Sequence, residues 1–160
     1  AAIGSAQLKK LPTIIANRAK VGDGVRDALA DNPVIQVGWQ VPESQSCYWF
    51  MRMHLDLDAI TVDKATFCAA LSAEGIPNAV SYRAIPAEYT WFREKRCFGN
   101  SGFPWDCSDY HGSKEPVACI DQAIRCTETQ FNIQLNESYG EQEMADIIAA
   151  CQKVAAAYAK

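Results

Sequence analysis

Alternating side chains in residues 47–55, CYWFMRMHL, constrain the fold more than any other part of this 160-residue chain. One face of the alternation carries Cys47, Trp49, Met51, Met53 and Leu55. The other face carries Tyr48, Phe50, Arg52 and His54. A period of two that is rich in aromatic residues predicts a strand buried on at least one side, so the chain must build a sheet.

Apolar residues with helical spacing precede this strand. Within residues 3–29 the apolar positions with that spacing are Leu8, Leu11, Ile15, Val25 and Leu29. Pro12 interrupts the pattern because it has no backbone N–H to donate, which predicts two helical pieces that meet at Pro12. No N-cap residue precedes the helical phase that starts at Ala1, so we expect the chain to begin within an element of a longer protein.

A helix and a short strand are expected after the aromatic strand. Thr61 can cap this helix, and Gly75 followed by Pro77 is a usual helix stop. A short strand near residues 79–82 should follow. The apolar face of the helix is expected to consist of Phe67, Ala70 and Leu71.

The second half of the chain begins with a stretch that has no sustained period, residues 83–115, which we interpret as a long loop with one helical turn. A helix over about residues 116–125 and a half-buried strand in QFNIQLN should follow. Ser138 and Glu141 have capping-box spacing for a last helix that runs to the chain end. The expected apolar positions are Val117, Ile120 and Ile124, then Phe131, Ile133 and Leu135, and finally Met144, Ile147, Ile148, Cys151 and Tyr158.

Strands separated by helices predict an α/β fold of the α+β type, with a small mixed sheet of about three strands covered by helices on one face. The length and the 49% hydrophobic composition fit a domain with a substantial core.

Charge and hydropathy exclude several kinds of partner. The 15 basic and 19 acidic residues give a net charge of -4 and form no basic stripe, so we expect no nucleic-acid partner. No apolar run is long enough to cross a membrane and no signal peptide is evident, which favours a cytoplasmic protein. The seven cysteines have irregular spacing, and we interpret most of them as reduced, buried small hydrophobic residues.

Four segments of the sequence resemble the DegT/DnrJ/EryC1/StrS aminotransferase family. They are AAIGSAQLKKLPTIIANR at the start, CYWFMRMHL, DKATFCAALSAEGIPNAVSYR, and LNESYGEQEMADIIAACQKVAAAY at the end. None is a catalytic signature, so the resemblance depends on the order and spacing of the segments. It implies the C-terminal small domain of a fold-type I transferase that uses pyridoxal phosphate.

The resemblance implies that a large domain, absent from this sequence, holds the cofactor. In the family, the lysine that forms the Schiff base and the residues that hold the cofactor ring precede the AAIG segment. Residues 1–32 would then link to that large domain, and residues 33–160 would form the small domain. The full-length enzyme would be a homodimer that binds pyridoxal phosphate and transfers an amino group, usually from glutamate, to a nucleotide-linked keto-sugar. This chain alone would bind no cofactor and be inactive.

Tyr82, Arg83 and Tyr89 are the candidate substrate-binding residues. Together with Trp91 they form a dense mixture of aromatic and cationic groups, which suits either sugar stacking or a domain interface. Family members often carry a histidine in a Y-x-P-L-H segment at this point, and this sequence does not. Arg83 supplies a donor fork for a sugar hydroxyl or a phosphate.

Other candidate sites have simpler interpretations. Cys97, Cys107 and His111 lack the spacing of common zinc sites, so we favour no metal. His54 is interpreted as a strand residue satisfied by its neighbours. None of the eight lysines lies in an apolar segment that would depress its pKa as a Schiff-base lysine requires.

A second hypothesis stays open from sequence alone. The chain could be an independently folded binding or dimerisation module without chemistry of its own.

Overall fold

The computed structural model describes residues 1–113 and 119–160, and it divides the chain into two compact units. The first unit contains residues 1–82 and 128–160, and the second contains residues 83–127. The expected apolar residue Val117 and part of the helix expected over residues 116–125 lie outside the described residues. No helix in the described part of the chain is long and apolar enough to cross a bilayer.

The first unit opens with helices α1 (Ala2–Leu8) and α2 (Leu11–Ala28). The break falls at residues 9–10, and Pro12 lies in the first turn of α2, where its missing N–H costs no hydrogen bond. The two predicted helical pieces are therefore present, with the junction just before Pro12. Val25 and Leu29 are buried, whereas Leu8 and Leu11 are exposed.

Four strands form the sheet: β1 (Ile35–Val37), β2 (Phe50–Leu55), β3 (Asn78–Ala79) and β4 (Gln130–Gln134). Their order is β1-β2-β4-β3, and every pairing is antiparallel. The α/β fold class is confirmed, with one strand more than expected and without a parallel pair. In the central pairing, Met51 lies opposite Ile133 and Met53 lies opposite Phe131.

The aromatic strand is shorter than its sequence pattern. Met51, Met53 and Leu55 are buried as predicted, but Cys47 and Trp49 are exposed. Tyr48 has a φ of 43°, which turns the backbone out of the extended conformation and ends the alternation before β2 begins. The strand that was predicted to begin at residue 47 therefore begins three residues later, at Phe50.

Two helices complete the first unit: α3 (Lys64–Ala73) and α6 (Glu141–Tyr158). They pack with α2 on one face of the sheet, and the shared core includes Val25, Phe67, Phe131, Ile147 and Cys151. Gly75 has a φ of 89° just after α3 and supplies the expected stop.

Both predicted helix caps were wrong by two residues. Asp63, not Thr61, caps α3, and its side chain accepts a hydrogen bond of 2.7 Å from the Thr66 backbone N–H. Thr61 instead bonds the carbonyl of Tyr158. At α6 the cap is Gly140, whose N–H donates to the Glu143 carboxylate at 2.7 Å.

The strand β4 was predicted to be half-buried, and this was wrong. Gln130 and Asn132 are as fully buried as Phe131 and Ile133. The side-chain amide of Gln130 donates to the Tyr82 carbonyl at 2.9 Å, so the chain that follows β3 lies against this polar face of β4. Alternation of polar and apolar residues therefore did not indicate exposure here.

The second unit contains a 3-10 turn (Pro86–Glu88), the short helix α4 (Thr90–Arg93) and most of α5 (Asp121–Thr129). Trp91, Phe92 and Trp105 form a ladder of edge-to-face rings with centroid distances of 5.7 and 6.3 Å. The expected long loop with little helix is present in the described residues of this segment.

Candidate functional site

Tyr82 lies at the end of the first unit. Its ring centroid is 5.5 Å from that of Phe50 on β2, and its side chain is 49% exposed. The backbone oxygen of Tyr82 accepts a hydrogen bond of 2.9 Å from the side-chain amide of Gln130. A buried residue of the central strand thus holds the chain at this tyrosine.

The face of the sheet opposite the helices carries polar side chains. Phe50, Arg52 and His54 on β2 pair with Gln134, Asn132 and Gln130 on β4, and paired residues point to the same face. Within the described residues, the buried amide oxygens Gln130 Oε1 and Asn132 Oδ1 have no hydrogen-bond partner. This face therefore carries acceptor capacity that the described protein atoms do not use.

His54 occupies the same face and is bonded rather than free. Its Nδ1 is 3.0 Å from Thr129 Oγ1. Burial lowers the pKa of His54, and the positive charges of Arg52 and Lys64 lower it further. The interpretation of His54 as a strand residue satisfied by a neighbour is confirmed, and the ring is neutral at pH 7.

Arg83 and Tyr89 belong to the second unit. The Nε of Arg83 donates to Glu88 Oε2 at 3.0 Å, and a terminal guanidinium nitrogen donates to the other oxygen of the same carboxylate. Glu88 lies in the 3-10 turn, and Tyr89 follows it at the start of α4 with a side chain that is 43% exposed. The donor fork expected at Arg83 therefore already holds a carboxylate of its own chain.

One lysine has a pKa that its sequence context did not predict. Burial lowers the pKa of Lys64, and the charges of Cys68 and Glu128 partly oppose this shift. Lys64 lies in the first turn of α3, where its ammonium donates to the Gln130 carbonyl at 2.9 Å. Sequence context did not indicate this because the burial comes from a distant strand.

The cysteines also differ from expectation. Only Cys68 and Cys151 are buried, and the other five are exposed or half-buried, so the prediction that most are buried was wrong. No disulfide joins any two of the seven cysteines, all of which lie among the described residues. Among the described residues, no three histidine, cysteine or acidic side chains come together where they could hold a metal ion.

Sequence reasoning missed a pocket of about 500 Å³ in the first unit. The loop between β1 and β2 forms one wall, and Phe50, Arg52 and His54 of β2 also line it. A signal was available in the loop sequence, where Trp39 stands between two strands and is 81% exposed. A second pocket of about 500 Å³ lies beside α6 and is lined by Glu74, Glu143, Asp146 and Lys153 among others.

An antiparallel sheet with helices on one face and a polar opposite face defines a small α/β domain, and solved aminotransferases and a dehydratase contain the same fold. Helicobacter pylori PseC, an aminotransferase involved in the biosynthesis of pseudoaminic acid, matches 98% of this chain with 15% identity and a TM-score of 0.70. The aminotransferase TlmJ from Streptoalloteichus hindustanus matches 97% with 17% identity and a TM-score of 0.66. The E. coli GDP-4-keto-6-deoxy-D-mannose-3-dehydratase with bound hydrated PLP matches 94% with 19% identity and a TM-score of 0.64.

Residues 1–102 match the profile of the DegT/DnrJ/EryC1/StrS aminotransferase family. This match covers more than half of the chain, so the chain belongs to that family, and the resemblance seen in the sequence is confirmed. The chain spans 36%, 35% and 34% of the three solved proteins, respectively. No curated protein sequence matches the chain.

Proposed function

We propose that this chain is the C-terminal, substrate-cleft domain of a pyridoxal-phosphate-dependent sugar aminotransferase. Membership of the aminotransferase family is the observation that carries the proposal. The fold match over nearly the whole chain, at about a third of each solved protein's length, supports placement as one domain of a larger enzyme. In this proposal residues 1–32 link to the large domain, and residues 33–160 form the small domain.

Exposed apolar side chains support the linking role of the first residues. Ile3 and Leu8 on α1 are 81% and 66% exposed, and Leu11 at the start of α2 is also exposed. A row of such residues suits burial against further protein. We propose that the large domain covers them, and that the complete enzyme is a cytoplasmic homodimer.

Pyridoxal phosphate does not fit the described residues of this chain by itself. A Schiff-base lysine needs an amine that is available to the cofactor. Lys64, the lysine with a lowered pKa, instead donates its ammonium to a backbone carbonyl. Lys64 lines neither of the two pockets described above. We therefore propose that the cofactor and its lysine belong to the large domain.

The substrate in this proposal is a keto-sugar, most simply a nucleotide-linked one, with glutamate as amino donor. Tyr82 in the first unit and Tyr89 in the second unit each present a half-exposed aromatic ring, and either ring by itself suits stacking on a sugar. Arg83, neutralised by Glu88, suits a hydroxyl better than a phosphate, because a carboxylate already shares its fork. The role of this chain would be to bind and orient the sugar while the cofactor domain carries the chemistry.

The test requires the enzyme with its large domain in place. Glutamate should yield 2-oxoglutarate in the presence of a nucleotide-linked keto-sugar. Arg83→Gln should raise KM for the sugar by about tenfold with less effect on kcat, because a charge-assisted hydrogen bond to substrate is lost. The matched control is Arg93→Gln, an exposed arginine on α4 outside the proposed contacts. Equal effects of both variants would contradict the role of Arg83.

A second measurement separates this proposal from a non-catalytic binding or dimerisation module. The 160-residue chain, treated with pyridoxal phosphate and borohydride, should show no phosphopyridoxyl group at a single defined lysine. Such a group at one position would overturn the placement of the cofactor lysine elsewhere. An intact enzyme that neither binds the cofactor nor consumes glutamate would favour the module.

A further inference from the structure

We propose that the pocket beside α6 binds a small organic cation that joins a primary ammonium group to an apolar ring, as an arylalkylamine does. Its volume of about 500 Å³ falls within the range of small-molecule sites. All of its lining residues belong to the first unit, and none is among the residues proposed to contact the sugar. The inference therefore does not depend on the proposed transamination.

The floor of the pocket is apolar. Ile133 on β4 and Ile147 on α6 both line it and are almost fully buried. Ile76, in the turn between α3 and β3, also lines it and is buried. Such a lining suits the hydrocarbon part of a ligand, because transfer of apolar surface out of water is favourable. The half-buried ring of Tyr139 adds an aromatic wall against which a second ring can pack.

The charge of the lining favours a cation. Three carboxylates line the pocket, those of Glu74, Glu143 and Asp146. The lysine of the lining, Lys153, is paired with Glu74 at 2.7 Å. Glu143 and Asp146 are in no ion pair within the described part of the chain. The lining therefore keeps two negative charges that no described side chain balances, whereas no carboxylate lines the pocket at the β1–β2 loop.

The two unpaired carboxylates lie where one ammonium group can bond both. Glu143 and Asp146 are three residues apart on α6, so their Cβ atoms lie about 5–6 Å apart on one face of the helix. Glu143 Oε2 accepts from the Gly140 N–H, and Asp146 Oδ1 accepts from the Gln142 amide at 2.8 Å. Each carboxylate has a second oxygen to offer a ligand, and an ammonium group has three donors.

An organic cation fits this arrangement better than a metal ion does. A calcium ion takes about six to eight oxygen ligands. Among the described residues, however, no three acidic, histidine or cysteine side chains come together. Ile147 and Ala150 follow Glu143 at helical spacing on the same face of α6 and also line the pocket. A hydrated metal ion would gain nothing from these apolar contacts, whereas an amine with an apolar body would gain from them and from the carboxylates.

Hydrogen bonds hold one wall of the pocket in place before any ligand binds. The Asn78 amide donates to the Ile76 carbonyl at 3.1 Å and to the Cys68 carbonyl at 2.9 Å. The Ile76 N–H donates to the Leu71 carbonyl at 3.0 Å, so the turn is fixed to α3. Gly75 lines the pocket from this turn, and a Cβ there would meet nothing within 4 Å, so the space beside it is open. A preformed wall loses little conformational entropy on binding.

Calorimetric titration of the 160-residue chain with four probes tests the proposal: tryptamine, butylamine, indole and indole-3-propionate. Tryptamine has both the ring and the ammonium group, and it should bind most tightly. Butylamine lacks the ring and indole lacks the charge, so each should bind at least about fivefold more weakly. Indole-3-propionate carries the opposite charge and should bind most weakly of the four.

Two matched pairs of α6 variants locate the site. Asp146→Asn should weaken tryptamine binding by about fivefold, because a charge contact at an exposed position is lost. Glu141→Gln removes a carboxylate of the same helix outside the lining and should leave binding unchanged. Ala149 is exposed and lines the pocket, so Ala149→Phe should fill it and abolish binding. Ala156→Phe adds the same ring at an exposed position about two turns further along α6 and should have no effect.

Four results would overturn the proposal. The first is absence of tryptamine binding at millimolar concentration. The second is butylamine or indole-3-propionate that binds as tightly as tryptamine, which would show that the ring or the charge is not recognised. The third is an equal loss of affinity in Asp146→Asn and Glu141→Gln, which would indicate general charge attraction. The fourth is unchanged binding by Ala149→Phe, which would place the ligand elsewhere. Because none of these measurements involves catalysis, failure here is distinguishable from failure of the proposed aminotransferase function.

Discussion

Gly22→Ala should destabilise this protein, although alanine is the better helix former. Gly22 lies inside α2, where the intrinsic preference for alanine is worth about 1 kcal/mol. A Cβ placed on Gly22 would meet three ring carbons of Tyr48 at 2.6 to 2.7 Å. Carbon atoms in favourable contact are about 3.5 to 4.0 Å apart, so the ring would have to move by about 1 Å.

Tyr48 has little freedom to make that movement. Its side chain is buried, and its hydroxyl donates to Asp23 at 2.6 Å. The Arg26 guanidinium lies 5.2 Å from the centroid of the Tyr48 ring, and the Tyr48 backbone has a φ of 43°. Overpacking of a well-filled core costs about 1–3 kcal/mol, so after the propensity gain we expect a net loss of about 1 kcal/mol.

Urea unfolding followed by circular dichroism at 222 nm measures this difference. Gly22→Ala should lower the urea midpoint without a change in m. The control is Gly4→Ala on α1, where a Cβ would meet nothing within 4 Å, and it should leave the midpoint unchanged or raise it. In a Tyr48→Ala background, Gly22→Ala should become neutral or stabilising. A midpoint for Gly22→Ala at or above that of the unsubstituted protein would refute the reasoning.

Three further predictions concern the core and its titrating groups. Phe67→Ala removes a fully buried ring and should lower the free energy of unfolding by about 3–5 kcal/mol, which the same urea titration measures. Burial raises the pKa of Cys68 to about 11 and of Cys151 to about 12, so iodoacetamide at pH 8 should label exposed Cys97 and spare both in the native protein. Peptide mass spectrometry checks this, and fast labelling of Cys151 would contradict its burial. Since the pKa of His54 is lowered from 6.5 in the fold, the unfolded chain takes up that proton first, and stability should fall as pH drops below about 6.5. His54→Gln should reduce this loss between pH 7.5 and 5.5, and an unchanged pH dependence would show that His54 does not cause it.

Local patterns in the sequence were sufficient to predict the buried faces of α3 and α6 and to identify the family. The apolar positions Phe67 and Leu71 in α3 and Ile147 and Cys151 in α6 are all buried as their spacing predicted. The stop at Gly75 was also evident, because few residues besides glycine adopt its positive φ readily. These features depend on neighbours within a few positions along the chain. The order of the family's segments is likewise a property of the sequence.

Tertiary contacts decided what the patterns left open. Asp63 caps α3 although Thr61 was an equally suitable cap residue, because Thr61 bonds the Tyr158 carbonyl at the other end of the chain. Gln130 is buried where its side-chain amide bonds the carbonyl of Tyr82, 48 positions away along the chain.

The candidate sites show the same dependence. Arg83 could be identified as a cation from sequence, but its bond to Glu88 depends on the 3-10 turn that brings the two side chains together. The pocket that contains Arg52 required the loop to fold back on β2, although Trp39 and Arg52 are 13 positions apart. Side-chain periodicity indicates which face of a helix or strand is apolar. A binding site forms where several elements come together in the fold, and periodicity does not predict which elements those are.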